Sequence, residues 1–152
     1  MGWEQIYEQW KNHQQLEAGL KDQLTELEKD PEMLQDAFYM PLEFGTAGMR
    51  GILGPGINRM NIYTVRQATE GLARFMDTQD PETRRRGVAI AYDSRHFSPE
   101  FAMEAAKTLA KHDIPAFVFE SLRPTPELSF AVRYLHTFTG CLLYTSDAAD
   151  EL

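Results

Sequence analysis

Apolar residues fall at helical spacing through the first part of the chain. Trp3, Ile6, Tyr7 and Trp10 lie three, four and seven positions apart and make one face. Leu16, Leu20, Leu24 and Leu27 continue a similar stripe. Asp30-Pro31 then reads as a stop and a new start, because Asp can cap a helix and Pro suits its first position. The pattern predicts a helical extension over residues 1–43. Apolar helix faces usually pack on their own body; a partner-binding helical hairpin is the other reading.

The texture changes after residue 44. In "NIYTVRQATEGLARFMDTQ", Ile62, Val65, Leu72, Phe75 and Met76 mark one helical face. "GVAIAYD" (87–93) is a short apolar run ending in an acid and predicts a buried strand. "SPEFAMEAAKTLAKHD" predicts a helix capped by Ser98, with Phe101, Ala105 and Leu109 inward. "IPAFVFE" (114–120) predicts a second strand, and "TPELSFAVRYLH" a helix capped by Thr125. Strand, helix, strand, helix is the pattern of an α/β unit with parallel strands. No internal repeat is visible.

Composition narrows the functional classes. The chain has 152 residues, enough for one domain with a real core. A net charge of −8 argues against a nucleic-acid or anionic-membrane surface. No apolar run is long enough to span a bilayer, and "MGWEQIYEQWKNHQQ" lacks the apolar centre of a signal peptide. Gly2 is present, but the sixth position lacks the Ser or Thr of a myristoylation signal. Cys141 is the only cysteine, so neither a disulfide framework nor a cysteine metal site is available. A soluble cytoplasmic protein is expected.

Candidate chemistry sits in "FGTAGMRGILGPGINRMN" (44–61), where five glycines fall within twelve residues beside Arg50 and Arg59. Glycines let backbone N–H groups approach an anion, and an arginine can grip phosphate oxygens with its fork of donors. The spacing fits neither a Walker loop nor a dinucleotide fingerprint, and a tight turn would use glycines too. Ligands in parallel sheets gather at the carboxyl ends of strands. "AYDSRHFSPE" puts Asp93, Ser94 and Arg95 past one strand, and "LRPTPE" puts Arg123 and Thr125 past the next. A local ion pair in a turn and a stiff loop into a helix cap are the alternative readings of these two.

Three ordered motifs together carry a resemblance. "FGTAGMRG" matches the F-G-T-[AS]-G-x-R-G signature of the α-D-phosphohexomutases, the family of bacterial phosphoglucomutases and phosphomannomutases. "VAIAYDSRHFSPEFA" resembles that family's strand, D-x-R and helix segment. "RPTPELSFAVRYL" resembles the segment leading to its nucleophile. The long helical start resembles the branch that includes phosphopentomutase-type enzymes.

The resemblance implies an α/β fold. It would be an incomplete first domain over residues 44–140, with a mixed, mostly parallel sheet and flanking helices behind the helical extension. It also implies a mutase that moves phosphate between sugar positions through a phosphoserine and a sugar bisphosphate, with Mg2+ on the phosphoserine. Thr46, Gly48 and Arg50 would line the phosphoserine end of the cleft, and Arg95 would support the same wall. The partner implied is a phosphosugar, glucose 1,6-bisphosphate being the type of intermediate.

The family's T-A-S-H-N-P nucleophile motif is not found. Ser146 in "YTSDAAD" has no His-Asn-Pro after it and does not take that role. Residues 141–152, "CLLYTSDAADEL", resemble instead a translated transposase-type sequencing adapter, in register over eleven residues. They are expected to be a non-native tail. The phosphoserine is then expected beyond Gly140. No catalytic residue and no metal ligand is expected here, and the chain is expected to be an inactive front section of a longer enzyme. The sheet is expected to stop at Gly140 with an exposed edge.

Overall fold

The computed structural model describes residues 2–43, 48–92, 97–121 and 125–146. Three helices come first: α1 (Trp3–Lys11), α2 (Ala18–Leu27) and α3 (Pro31–Tyr39). There follow β1 (Gly48–Ile52), α4 (Ile62–Asp77), α5 (Pro81–Arg86), β2 (Val88–Tyr92), α6 (Ser98–Ala110), β3 (Ala116–Val118), α7 (Thr125–Leu135) and β4 (Thr139–Ser146).

The N-terminal helices close on a small core of their own. Leu24, Leu34, Ala37 and Phe38 are buried, with Trp3, Ile6, Tyr7, Trp10, Leu16 and Leu27 packed around them. Asp30 caps α3 as its side chain accepts from the Met33 amide, with Pro31 opening the helix. The group packs on the body through Tyr63 of α4. Its ring meets Trp10 edge-on at 5.6 Å, and its hydroxyl accepts from the Glu17 amide. Part of the extension's apolar surface is therefore covered within the chain, while Met33, Tyr39 and Met40 stay exposed.

The strands form one sheet in the order β1-β4-β2-β3. Every pairing among the described residues is parallel, where the family resemblance leads one to expect a mixed sheet. A strand covered by helices on both faces needs apolar side chains throughout, and Val88, Ala89, Ile90 and Ala91 of β2 are all buried. The main core gathers Val65, Ala73 and Met76 of α4, Phe101, Ala105 and Leu109 of α6, and Met49, Val88, Ile90 and Cys141 of the sheet.

Several local expectations change. Phe75 is exposed, with its ring tilted against Phe138, because the inward seam of α4 runs Val65, Thr69, Ala73, Met76 and leaves Phe75 a step outside it. The residue before α6 is Phe97, not Ser98, and it stands in the left-handed region at φ 65°. The strand expected over 114–120 is only three residues long. Helix α5 goes unread, although Asp80-Pro81 repeats the Asp30-Pro31 signal and Asp80 caps it.

The largest correction concerns β4. It does not stop at Gly140 but runs to Ser146, lying between β1 and β2. Leu142 and Leu143 pair on both sides, Thr139–Cys141 with β2 and Tyr144–Ser146 with β1. "CLLY" is an apolar run of the kind a strand between two neighbours takes, and the slot between β1 and β2 offers backbone partners along its length. Among the described residues no helix is long and apolar enough to cross a membrane.

Candidate phosphate-holding edge of the sheet

The strands are staggered, and the stagger brings two of the candidate segments together. Leu143 of β4 pairs with Met49 on one side and with Tyr92 on the other. The beginning of β1 therefore shares a row with the end of β2. Arg50 stands one row further, level with Tyr144, and Ile52 is level with Ser146. β2 ends at Tyr92 beside this corner.

Alternation along β1 assigns its side chains. Met49 is 2% exposed and belongs to the core, and Gly51 is buried on the same side. Arg50 is exposed on the other face. The strand places Arg50 on its exposed face, one row past the level at which β2 ends. Of the residues singled out by sequence, Gly48 and Arg50 are thus placed on one strand. Thr46, Asp93, Ser94, Arg95 and Arg123 lie outside the described residues, and Thr125 begins α7.

The second arginine of the glycine-rich stretch has a different task. Arg59 is 4% exposed, and its Nη2 donates to Asp36 of α3 at 2.7 Å. Its Nη1 donates to the Asn58 carbonyl at 3.0 Å. A guanidinium so buried needs such partners, because desolvating an unpaired charge is costly. The bond to Asp36 ties the loop to α3, and the bond to Asn58 lies within the loop.

The loop after β1 is a built unit. The amides of Met60 and Gly54 donate to the carbonyls of Ile52 and Met60. Asn61 does three jobs at once. Its Oδ1 caps α4 by accepting from the Tyr63 and Thr64 amides, and its Nδ2 donates to the carbonyls of Gly54 and Gly56. The Thr64 hydroxyl donates to the Arg59 carbonyl at 2.7 Å. Asn61 was missed in the sequence, although Asn directly before a helical stripe is a cap signal.

The resemblance implies Mg2+, but among the described residues no three His, Cys, Asp or Glu side chains gather as a metal site.

Comparison with known proteins bears on what this corner is for. The family model described as phosphoglucomutase/phosphomannomutase, alpha/beta/alpha domain I, matches residues 41–149. A phosphoglucomutase of Staphylococcus aureus (strain bovine RF122 / ET3-1) is 43% identical over 112 residues, 74% of this chain and 20% of that protein. A phosphoglucomutase of Staphylococcus epidermidis is 42% identical over 115 residues, 76% of this chain and 20% of the other. A human phosphopentomutase is 36% identical over 125 residues, 78% of this chain and 20% of the other. The chain spans about a fifth of the length of these relatives. No solved structure matches it at the same stringency. A domain-length family match, with the glycine-rich strand and its arginine set at one corner of a parallel sheet, shows that the chain belongs to the phosphoglucomutase/phosphomannomutase family.

Proposed function

We propose that the chain is the phosphate-holding front of a phosphosugar mutase that interconverts a sugar 1-phosphate and a sugar 6-phosphate through a phosphoserine and a bisphosphate. The observation that carries this reading is Arg50, exposed on β1 one row beyond the end of β2. A planar guanidinium there can hold two phosphate oxygens, while Gly48 leaves the neighbouring backbone open to approach. Positioning and charge stabilisation are what phosphoryl transfer asks of a protein. In this reading the serine that carries the phosphoryl is not among these 152 residues, none of which stands in a T-A-S-H-N-P motif, so the chain binds but does not turn over.

Calorimetric titration with glucose 1-phosphate tests this. Binding is expected, and Arg50→Ala is expected to weaken it about tenfold or more, the worth of a charge-assisted hydrogen bond. No conversion to glucose 6-phosphate is expected. Unchanged affinity in Arg50→Ala, or turnover by the chain alone, would overturn the reading. The human phosphopentomutase relative supports a second specificity, a pentose phosphate. Tighter binding of ribose 1-phosphate than of glucose 1-phosphate would favour it.

A further inference from the structure

The N-terminal helices do more than cover apolar surface. The last turn of any α-helix leaves carbonyls without intrahelical partners. In α3 two of them are met by the glycine-rich loop. The Asp36 carbonyl accepts from Asn58 Nδ2 at 3.1 Å, and the Ala37 carbonyl accepts from the Asn58 amide at 2.9 Å. The Asp36 carboxylate takes the buried Arg59 guanidinium. Past the helix, the Leu42 amide donates to the Ile57 carbonyl at 2.8 Å.

The approach is close enough to exclude side chains. Gly56 has φ 125°, and a Cβ on it would lie 2.4 Å from the Ala37 carbonyl oxygen. Leu42 reaches β1 itself. A Cβ on Gly51, the residue after Arg50, would lie 2.9 Å from Leu42 Cδ1. A shift of α3 is thus felt in the loop and at the neighbour of Arg50.

We propose that α3 is a brace for the phosphate-holding strand, and that Asp36 and Arg59 are positioning residues that set the affinity of the site without touching its ligand. The ligand half of this inference rests on the reading of Arg50 given above. The mechanical half rests on the contacts alone. A buried guanidinium that loses its carboxylate seeks water, and the loop that carries it opens.

The test pairs hydrogen exchange with ligand titration on the full chain. In Asp36→Asn, the amides of Gly54, Asn58 and Met60 are expected to exchange at least about tenfold faster, while those of β2 keep their protection. The same variant is expected to bind glucose 1-phosphate about tenfold more weakly, although residue 36 makes no ligand contact. Asp36→Glu, which keeps the charge, is expected to restore both. Unchanged loop exchange in Asp36→Asn overturns the brace. Faster loop exchange with unchanged affinity overturns its bearing on the site. If the wild-type chain binds no glucose 1-phosphate, the reading of Arg50 fails, the claim on affinity fails with it, and exchange alone decides the mechanical half.

Discussion

Asp77 Oδ2 lies 2.8 Å from Nδ1 of His112, and the other ring nitrogen of His112 lies 2.9 Å from Glu70. An imidazole can donate to two carboxylates only when both nitrogens carry hydrogen, so the geometry calls for the charged ring. The cluster ties α4 to the end of α6. Arg74 reaches Glu70 at 3.2 Å, and Arg84 of α5 reaches Asp77 at 3.0 Å.

Stability should follow the protonation of this cluster. The hydrogen bond to Glu70, then that to Asp77, raises His112 above its ordinary 6.5. Its contribution is complete below that value and is lost as pH rises through the raised one. Glu70 and Asp77 are held below their ordinary 4.5 and 3.8, each chiefly by the bond to His112. Their contribution is present above those values and is lost as pH falls through the lowered ones. The Tm difference between wild type and His112→Gln should therefore be largest between pH 4.5 and 6.5 and shrink above it. A difference that stays constant from about pH 5 to about pH 9 would count against the charged ring.

Phe38 is fully buried, with the rings of Tyr7 and Trp10 edge-on at 5.7 Å each. Phe38→Ala should cost about 3–5 kcal/mol. Both tryptophans, Trp3 and Trp10, stand in α1, so fluorescence reports the extension and far-UV circular dichroism the whole chain. Because α3 is tied to the loop, the two urea transitions should move down together. Separate midpoints would mean that the extension melts alone.

Gly56→Ala should destabilise by about 1–3 kcal/mol, since both its backbone angle and its nearness to Ala37 exclude a Cβ. Equal urea midpoints for the two proteins would contradict the close approach of loop and helix.

Burial pushes the Cys141 thiol up to about 12. The side chain is 5% exposed in the middle of the sheet. A thiol-reactive dye at neutral pH should label the native chain only as fast as it unfolds. Labelling within seconds, with the far-UV spectrum intact, would show that β4 is not seated between its neighbours.

Much of the fold was legible because local signals and burial agree. Asp30-Pro31 opens α3, and Phe101, Ala105 and Leu109 face inward on α6 as their spacing requires. Phe75 was misread because five apolar residues cannot all share one stripe, and the loser is chosen by packing. The site was half legible. Arg50 and Gly48 stood out in a motif, but nothing local marks Arg59 as the buried arginine of the pair. Its partner Asp36 lies 23 residues away. The place of β4 was hidden for the same reason, as strand order is set by tertiary pairing and not by neighbours in sequence.

The central place of β4 also fixes an order of events during synthesis. Among the described residues, β1 finds its strand partner in residues 142–146. On the ribosome, then, β1 emerges long before the strand that pairs with it, while β2 can already pair with β3. The edge of β1 that faces β4 stays open until β4 clears the exit tunnel. In that interval the open edge of β1 is what a chaperone would have to hold.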